Sequence, residues 1–401
     1  MSSRRGGRGG HGLGSFLISP LGIVFTTVVI DLIGFGIVIP ILPIYAHDLG
    51  ASPTVIGGLA ASYALMQFLF APMWGRLSDR YGRRPVILVA LAGTVVSSLL
   101  IGFATALWFL WLARILNGIS GASYAAAQAY VADVTGPEER ARGMGLIGAA
   151  FGLGFVLGPA IGGLCALIDK RAPFFVAAAV AAANLVLAWR RLPEPERRPA
   201  EASSRRELIR LALSHAQIAP MIAITFLGTF AFVGMEQTFA LLGERRFEFG
   251  LVETGLVFTY IGIVVAAVQG RAIGPLVARY GEQRVLVAGL VLTGLALGLL
   301  AVTTHLWELF PVAALLAASG LVFPTVTTLV SKAVGDADQG AMLGVVASAS
   351  GLARVAGPLA AGAMFQLSVP LPYIVGAGLF AVCLAIALRG ARRPQLEPVA
   401  P

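Results

Sequence analysis

Twelve apolar stretches follow one another along this chain, each close to the roughly 20 residues that carry a helix across a bilayer. They fall at about 20–43, 53–75, 85–104, 107–132, 142–165, 173–190, 216–241, 252–272, 285–304, 307–331, 340–366 and 370–388. The 401 residues are 57% hydrophobic and only 12% charged, where a soluble domain carries about a quarter charged residues. The expected fold class is an all-α integral membrane protein lying in the lipid bilayer. The longest polar break, LPEPERRPAEASSRRELIR at 192–210, falls between the sixth and seventh stretches, and its Pro, Glu and Arg content reads as a linker. The expected organisation is a basic tail (1–19), a six-helix bundle (20–191), a linker (192–215), a second six-helix bundle (216–389) and a short tail (390–401). No small-residue cleavage site follows the first stretch, which therefore reads as a retained span.

The net charge of +9 is explained without nucleic acid. With the N-terminus in the cytoplasm, 23 of the 29 Lys and Arg fall in cytoplasmic segments, and only Lys170, Arg171, Arg245 and Arg246 fall outside. The positive-inside rule then places both termini in the cytoplasm, in an inner membrane. Metal and phosphate chemistry find no motif: there is no HExxH, no paired Cys/His set and no phosphate loop. His11, His47, His215 and His305 sit in the tail, in loops or at a span edge, and Cys165 and Cys383 lie in apolar stretches. No metal, no cofactor and no enzymatic activity are expected.

The chain repeats itself. Gly75, Leu77, Arg80, Tyr81 and Gly82 recur 199 residues later as Gly274, Leu276, Arg279, Tyr280 and Gly281. The same offset carries Gly152, Gly158, Pro159 and Gly163 onto Gly351, Gly357, Pro358 and Gly362. Two motifs at one shift argue for two duplicated halves related by an axis along the membrane normal, with substrate bound between them near the midplane.

Four segments carry a family resemblance. GRLSDRYGRR (75–84) resembles the loop between spans two and three of major facilitator superfamily transporters. ARILNGISGA (113–122) resembles their fourth-span motif, GLGFVLGPAIGG (152–163) the fifth-span motif of the drug/proton antiporters, and DLIGFGIVIPILP (31–43) the first-span motif of that branch. YALMQFLFAPMWGRLSDRYGRRPV, PFFVAA and GERRFEFG look like the tetracycline/proton antiporters in particular. The resemblance implies twelve helices in two pseudo-symmetric bundles and secondary active transport. Three positions depart from the tetracycline pattern. Ser97 and Thr293 stand where that group has acids in the third and ninth spans, and Val265 where it has a histidine in the eighth. These departures point away from tetracycline itself and from the group's usual coupling network.

Asp31, Arg114, Glu236 and Arg354 are the ionisable residues at membrane depth. Each costs about 2.5–3.5 kcal/mol at a helix centre, so each is a functional candidate. Asp31 sits among Val and Ile, where protonation removes a buried charge; it reads as a proton carrier or an anchor for a cationic substrate. Glu236, the only carboxylate inside the C-terminal spans, is a candidate for the same work or for a hydrated position near the outer interface. Arg114 falls on the family's motif arginine, which implies proton transfer or control of a partner acid; its bland alternative is bonding to backbone carbonyls between helices. Arg354 has no counterpart in the motif. Tyr63, Gln67, Asn117, Tyr124 and Gln128 are candidate cavity-lining residues on spans two and four.

In the loop, Gly75 and Gly82 suit tight turns, and Arg80, Arg83 and Arg84 serve retention in the cytoplasm. Asp79 adds nothing to that rule; it can face a helix N-terminus or pair with Arg80 or Arg83, with Asp133 extending the network. The resemblance implies a latch holding the halves closed inside, one-sided because Ala278 replaces the acid in the repeat. Gly154, Gly158, Pro159, Gly162, Gly163, Gly357 and Pro358 are expected at close helix packing, and the resemblance adds a hinge typical of exporters.

The expected function is proton-coupled efflux of small amphipathic organic molecules by alternating access, working as a monomer on a small organic substrate and protons. The proton gradient is its energy source. Rival expectations are a proton-coupled uptake symporter or facilitator of a metabolite and, from other classes, a non-transporting membrane sensor or a polytopic membrane enzyme.

Overall fold

The computed structural model describes residues 19–121, 123–134, 137–195, 218–334 and 339–391. The expected basic tail up to residue 18, the linker from 196 to 217 and the tail from 392 onward lie outside the described residues. Every described element is a helix. The twelve spans are Pro20–Asp48, Pro53–Tyr81, Arg83–Gly102, Leu107–Ser120 with Ser123–Val134, Pro137–Ala166, Ala172–Arg191, Ile218–Phe247, Leu251–Ala267 continued by Ile273–Tyr280, Glu282–Val302, Leu306–Leu316 with Ser319–Lys332, Gln339–Leu367, and Leu371–Ala391. Eleven are long and apolar enough to cross a membrane as one helix; the fourth, broken after Ser120, is assembled from two pieces.

The first two spans start on the same local chemistry. Ser19 accepts a hydrogen bond from the Gly22 amide at 3.1 Å and Ser52 from the Val55 amide at 3.4 Å, each followed by a proline at the first helical position. Several helices then outrun the apolar stretches that announce them. The first continues through Pro40 and Pro43 to Asp48, and the seventh reaches Phe247. Apolar composition marks where lipid is, whereas a backbone keeps its hydrogen bonds well into the interface.

This corrects the reading of residues 75–84 as a loop. Gly75 lies inside the second helix, and the whole connection to the third is Gly82, at φ +112°. Its repeat, Gly281, has φ +78° and joins the eighth span to the ninth in the same way. The stacking of Arg80 on Tyr81 (5.4 Å) is repeated by Arg279 on Tyr280 (5.3 Å). The duplication is therefore visible at backbone and side-chain level.

Packing follows the same symmetry. Spans one and five pack as seven and eleven do, three and six as nine and twelve, and the halves meet where two packs on eleven and eight on five. Leu69, Phe103, Trp108, Ile168, Trp307 and Leu367 are left exposed around the outside, as a lipid-facing sheath requires.

The cross-half contacts lie away from the arginine-rich face. A methyl group on Gly57 or Gly362 would strike the backbone of Pro358 or Pro53, and one on Gly255 would lie 2.8 Å from the Gly163 Cα. At the rim, Thr54 donates to Gln366 at 2.5 Å and His47 pairs with Glu244 at 2.8 Å. Toward the arginine-rich face contact thins: a methyl on Gly152 first meets Ala266 at 3.7 Å, and on Gly148, Gly270, Gly274 or Gly344 it meets nothing within 4 Å. The apolar core agrees. One cluster runs across both halves, through Ile37, Leu59, Met235 and Phe258; a second, around Val28, Ile87, Leu91 and Tyr130, belongs to the N-terminal half alone. The halves are closed at one face and parted at the basic one.

Candidate functional site

The fifth and eleventh spans are the seams on which this arrangement is built. Gly154, Gly158 and Gly162 press on the first span, where an added methyl would meet Leu32, Gly36 and Ile41 at 2.6–2.7 Å. Gly163 faces Gly255 across the halves, and the Pro159 carbonyl lies against Gly255 too. In the repeat, Gly357 packs on Phe230 of the seventh span while Pro358 backs onto Gly57 of the second. Pro159 and Pro358 sit inside continuous helices, so both residues serve the seams; a hinge motion is a separate matter.

Arg114 is carried to the centre by the fourth span and is buried, with 7% of its surface exposed. Its Nε donates to the Leu59 carbonyl at 3.4 Å, and its guanidinium lies 4.3 Å from the centre of the Tyr63 ring. The bland expectation for this arginine, a bond to a neighbouring helix backbone, is therefore present, joined by a cation–π contact. Gln67 donates to the Tyr63 hydroxyl at 3.3 Å and to the Gly121 carbonyl at 3.1 Å, tying the second span to the break in the fourth. Phe35 of the first span lies 6.0 Å from the Tyr63 ring.

Tyr63 is the hub. The charges of Arg114, Asp31 and Arg354 all act on it, and Arg354 acts in turn on Glu236. Spans one, two, four, seven and eleven thus bring four charges and a phenol to one place between the halves. Arg354 is exposed although it lies mid-span, so it faces open space between the halves, and it closes no ion pair with Glu236 among the described residues. Its place near Glu236 follows from the parallel packing of the seventh and eleventh spans, in which Phe230 meets Gly357 and Gly234 meets Ala361. Asn117 and Gln128 are half-buried on the two pieces of the fourth span; the side chain of Tyr124 lies outside the described residues.

The departures from the tetracycline pattern are closed off locally. Ser97 donates to the Thr94 carbonyl at 3.0 Å and Thr293 to the Gly289 carbonyl at 2.8 Å, each hydroxyl satisfied on its own helix. Neither supplies an ionisable group.

At the basic face, Arg83 binds Asp79 at 2.7 Å, Asp133 at 2.8 Å and Ser78 at 3.0 Å. Arg84 donates to the Trp189 carbonyl at 2.5 Å. The acid at the start of the third helix is Glu194, not Asp79. Its carboxylate accepts from the amides of Arg83 (2.6 Å) and Arg84 (3.0 Å), where free N–H groups and the helix dipole favour an anion. Tyr130 holds the same strand of linker by donating to the Pro193 carbonyl at 2.9 Å. In this conformation these bonds fasten spans two, three, four and six of the N-terminal half to one another. Glu194 escaped the sequence reading because nothing local marks a partner 111 residues away. Gly82→Ala combines a left-handed φ with a Cβ placed against the Glu194 carboxylate. It is expected to lower stability by about 1–2 kcal/mol, read as a fall in the unfolding temperature of the purified protein.

The comparisons agree with this architecture. The sequence profile of the Major Facilitator Superfamily matches residues 24–273 and 271–401. The chain is 37% identical over 381 residues to the tetracycline resistance protein, class C, of Escherichia coli, covering 92% of this chain and 96% of that protein. It is 31% identical over 375 residues to multidrug resistance protein 1 of Bacillus subtilis (strain 168), covering 92% and 95%. Among solved structures, the human organic anion transporter MFSD10 (TETRAN) superposes with a TM-score of 0.70 at 28% identity, covering 92% of this chain and 98% of that one. The profile match along almost the whole chain and relatives at 37% and 31% identity over 92% of it show that the chain belongs to the major facilitator superfamily.

Proposed function

We propose that this multi-pass membrane protein exports small amphipathic organic molecules in exchange for protons. The observation that carries the reading is the gathering of Asp31, Tyr63, Arg114, Glu236 and Arg354 at membrane depth, between halves closed at one face and parted at the other. Relatives named for tetracycline and multidrug resistance support export, and their breadth supports a substrate class wider than one drug. With hydroxyls at Ser97 and Thr293, proton exchange falls to Asp31 in one half and Glu236 in the other. The arginine-rich face is the cytoplasmic one, so the chain lies in the inner membrane with both termini inside and is open to the cytoplasm in this conformation. It works as a monomer, with the proton gradient as its energy source and no cofactor. The Asp79–Arg83–Asp133 cluster keeps the N-terminal half rigid while the halves rock.

Inverted vesicles carrying an imposed proton gradient test this. Cationic dyes and antibiotics are expected to accumulate only while the gradient lasts, and Asp31→Asn with Glu236→Gln to end accumulation. Driven accumulation surviving both substitutions would remove the proton assignment; transport independent of the gradient would favour a facilitator.

A further inference from the structure

A second polar site lies inside the N-terminal half, behind Asp31. A small cavity there is bounded by Thr27 and Asp31 of the first span, Ile87 of the third, Ala127 of the fourth and Leu192 at the end of the sixth. Thr27 precedes Asp31 by one helical turn, so both present the same face. Both Thr27 and Asn184 are buried, at 4% and 0% exposure, yet the Thr27 hydroxyl and the Asn184 Oδ1 have no hydrogen-bond partner. The two orphans are neighbours, because the Asn184 amide donates to the Thr27 carbonyl at 2.8 Å. That bond also fixes which end of the amide is left over. Buried Thr225, Thr293 and Thr325 each give their hydroxyl to the carbonyl one turn back; Thr27 does not. A buried polar atom left without a partner costs about 1–3 kcal/mol, and in folded proteins water commonly supplies the missing bonds. A hydroxyl and a carboxyl line this one small space, and the orphaned amide oxygen is tied to the same turn of the first span; together they make a water site.

Its position gives the site a use. Thr27 lies one turn nearer the cytoplasmic face than Asp31, and Leu192, only 2% exposed, closes the cavity at the end of the sixth span. Leu192 is held there by the linker start that Tyr130 and Glu194 dock. Tyr63, Arg354 and Glu236 belong to the space between the halves. Of the other helices packed on the first span, the fourth brings Gln128 and Asp133 and the sixth Asn184, while Tyr260 of the eighth turns to the Phe310 carbonyl.

We propose that this cavity holds water through which Asp31 exchanges its proton with the cytoplasm, inside the N-terminal half and apart from the substrate cavity. The proton passes from the Asp31 carboxyl to the bound water, which releases one of its own to cytoplasmic water when Leu192 moves aside; no electrons move. The proposal rests on Asp31 being the proton carrier.

The test is infrared spectroscopy of the whole protein in lipid, following the protonated carboxyl band that Asp31→Asn removes, after transfer to heavy water. Thr27→Val and the cavity-filling Ala127→Leu are expected to slow deuteration of that band about tenfold, equivalent to about 1.4 kcal/mol on the barrier. Leu192→Ala is expected to speed it, and Gln67→Ala, in the space between the halves, to leave it unchanged. A loosened fold would speed exchange, so slowing is not a folding artefact. Wild-type rates in both Thr27→Val and Ala127→Leu, or slowing by Gln67→Ala instead, would overturn the route. A carboxyl band untouched by Asp31→Asn would overturn the carrier assignment, and the route with it.

Discussion

Asp31→Asn is expected to abolish gradient-driven accumulation while leaving the protein folded and able to exchange substrate down its own gradient. Asparagine keeps the size and polarity of the side chain but cannot take up and release a proton. The loss of a positioned proton-transferring group commonly costs a factor of about 10²–10⁴ in rate, and driven transport has no second acid in the third or ninth span to fall back on. Stability is expected to hold or rise, because an uncharged residue is less costly at this depth than a charged one. The check is paired: driven accumulation in inverted vesicles against counterflow of the same dye without a gradient. Loss of both would mean that Asp31 binds substrate instead of, or as well as, protons.

The second large effect is steric. Gly57→Leu is expected to exclude the conformation described here, because its Cβ would lie against the Pro358 backbone, which cannot yield as a side-chain tip can. Overpacking costs about 1–3 kcal/mol, and 3 kcal/mol shifts a two-state equilibrium about 150-fold. The variant should therefore populate the state closed at the basic face. Cysteines at Thr54 and Gln366, whose native side chains touch, report this directly: they should cross-link readily in the parent and poorly with Gly57→Leu. Gly36→Leu probes the seam within one half. It should lower the unfolding temperature without changing that cross-link, since the first and fifth spans belong to the same rigid bundle.

These expectations draw unequally on what could be read from the chain. Glu236 and Arg354 were visible as charges in apolar surroundings, but their nearness depends on the register of two parallel helices, and no local pattern encodes that. Asn184 carried a legible signal, a lone amide in a run of alanine, leucine and valine. Its meaning depended on the orphaned hydroxyl of Thr27, 157 residues away. The stretch 75–84 was misread as a loop because its charges look like one; Gly82 alone turns the chain, and the charges sit on helix ends that project from the lipid.

The sequence by itself determined the membrane location, the twelve spans, the duplication and which face carries the positive charge. Each follows from a property that acts locally or adds along the chain: apolar length against bilayer thickness, residue identity at a fixed offset, and positive charge between spans. Only the tertiary structure decided which charges meet around Tyr63, that the halves are parted at the basic face, and that a second polar space lies behind Asp31. Those outcomes depend on how far each helix slides and turns before its glycines meet another backbone. That balance is set among all twelve helices together, so no single stretch of the chain contains it.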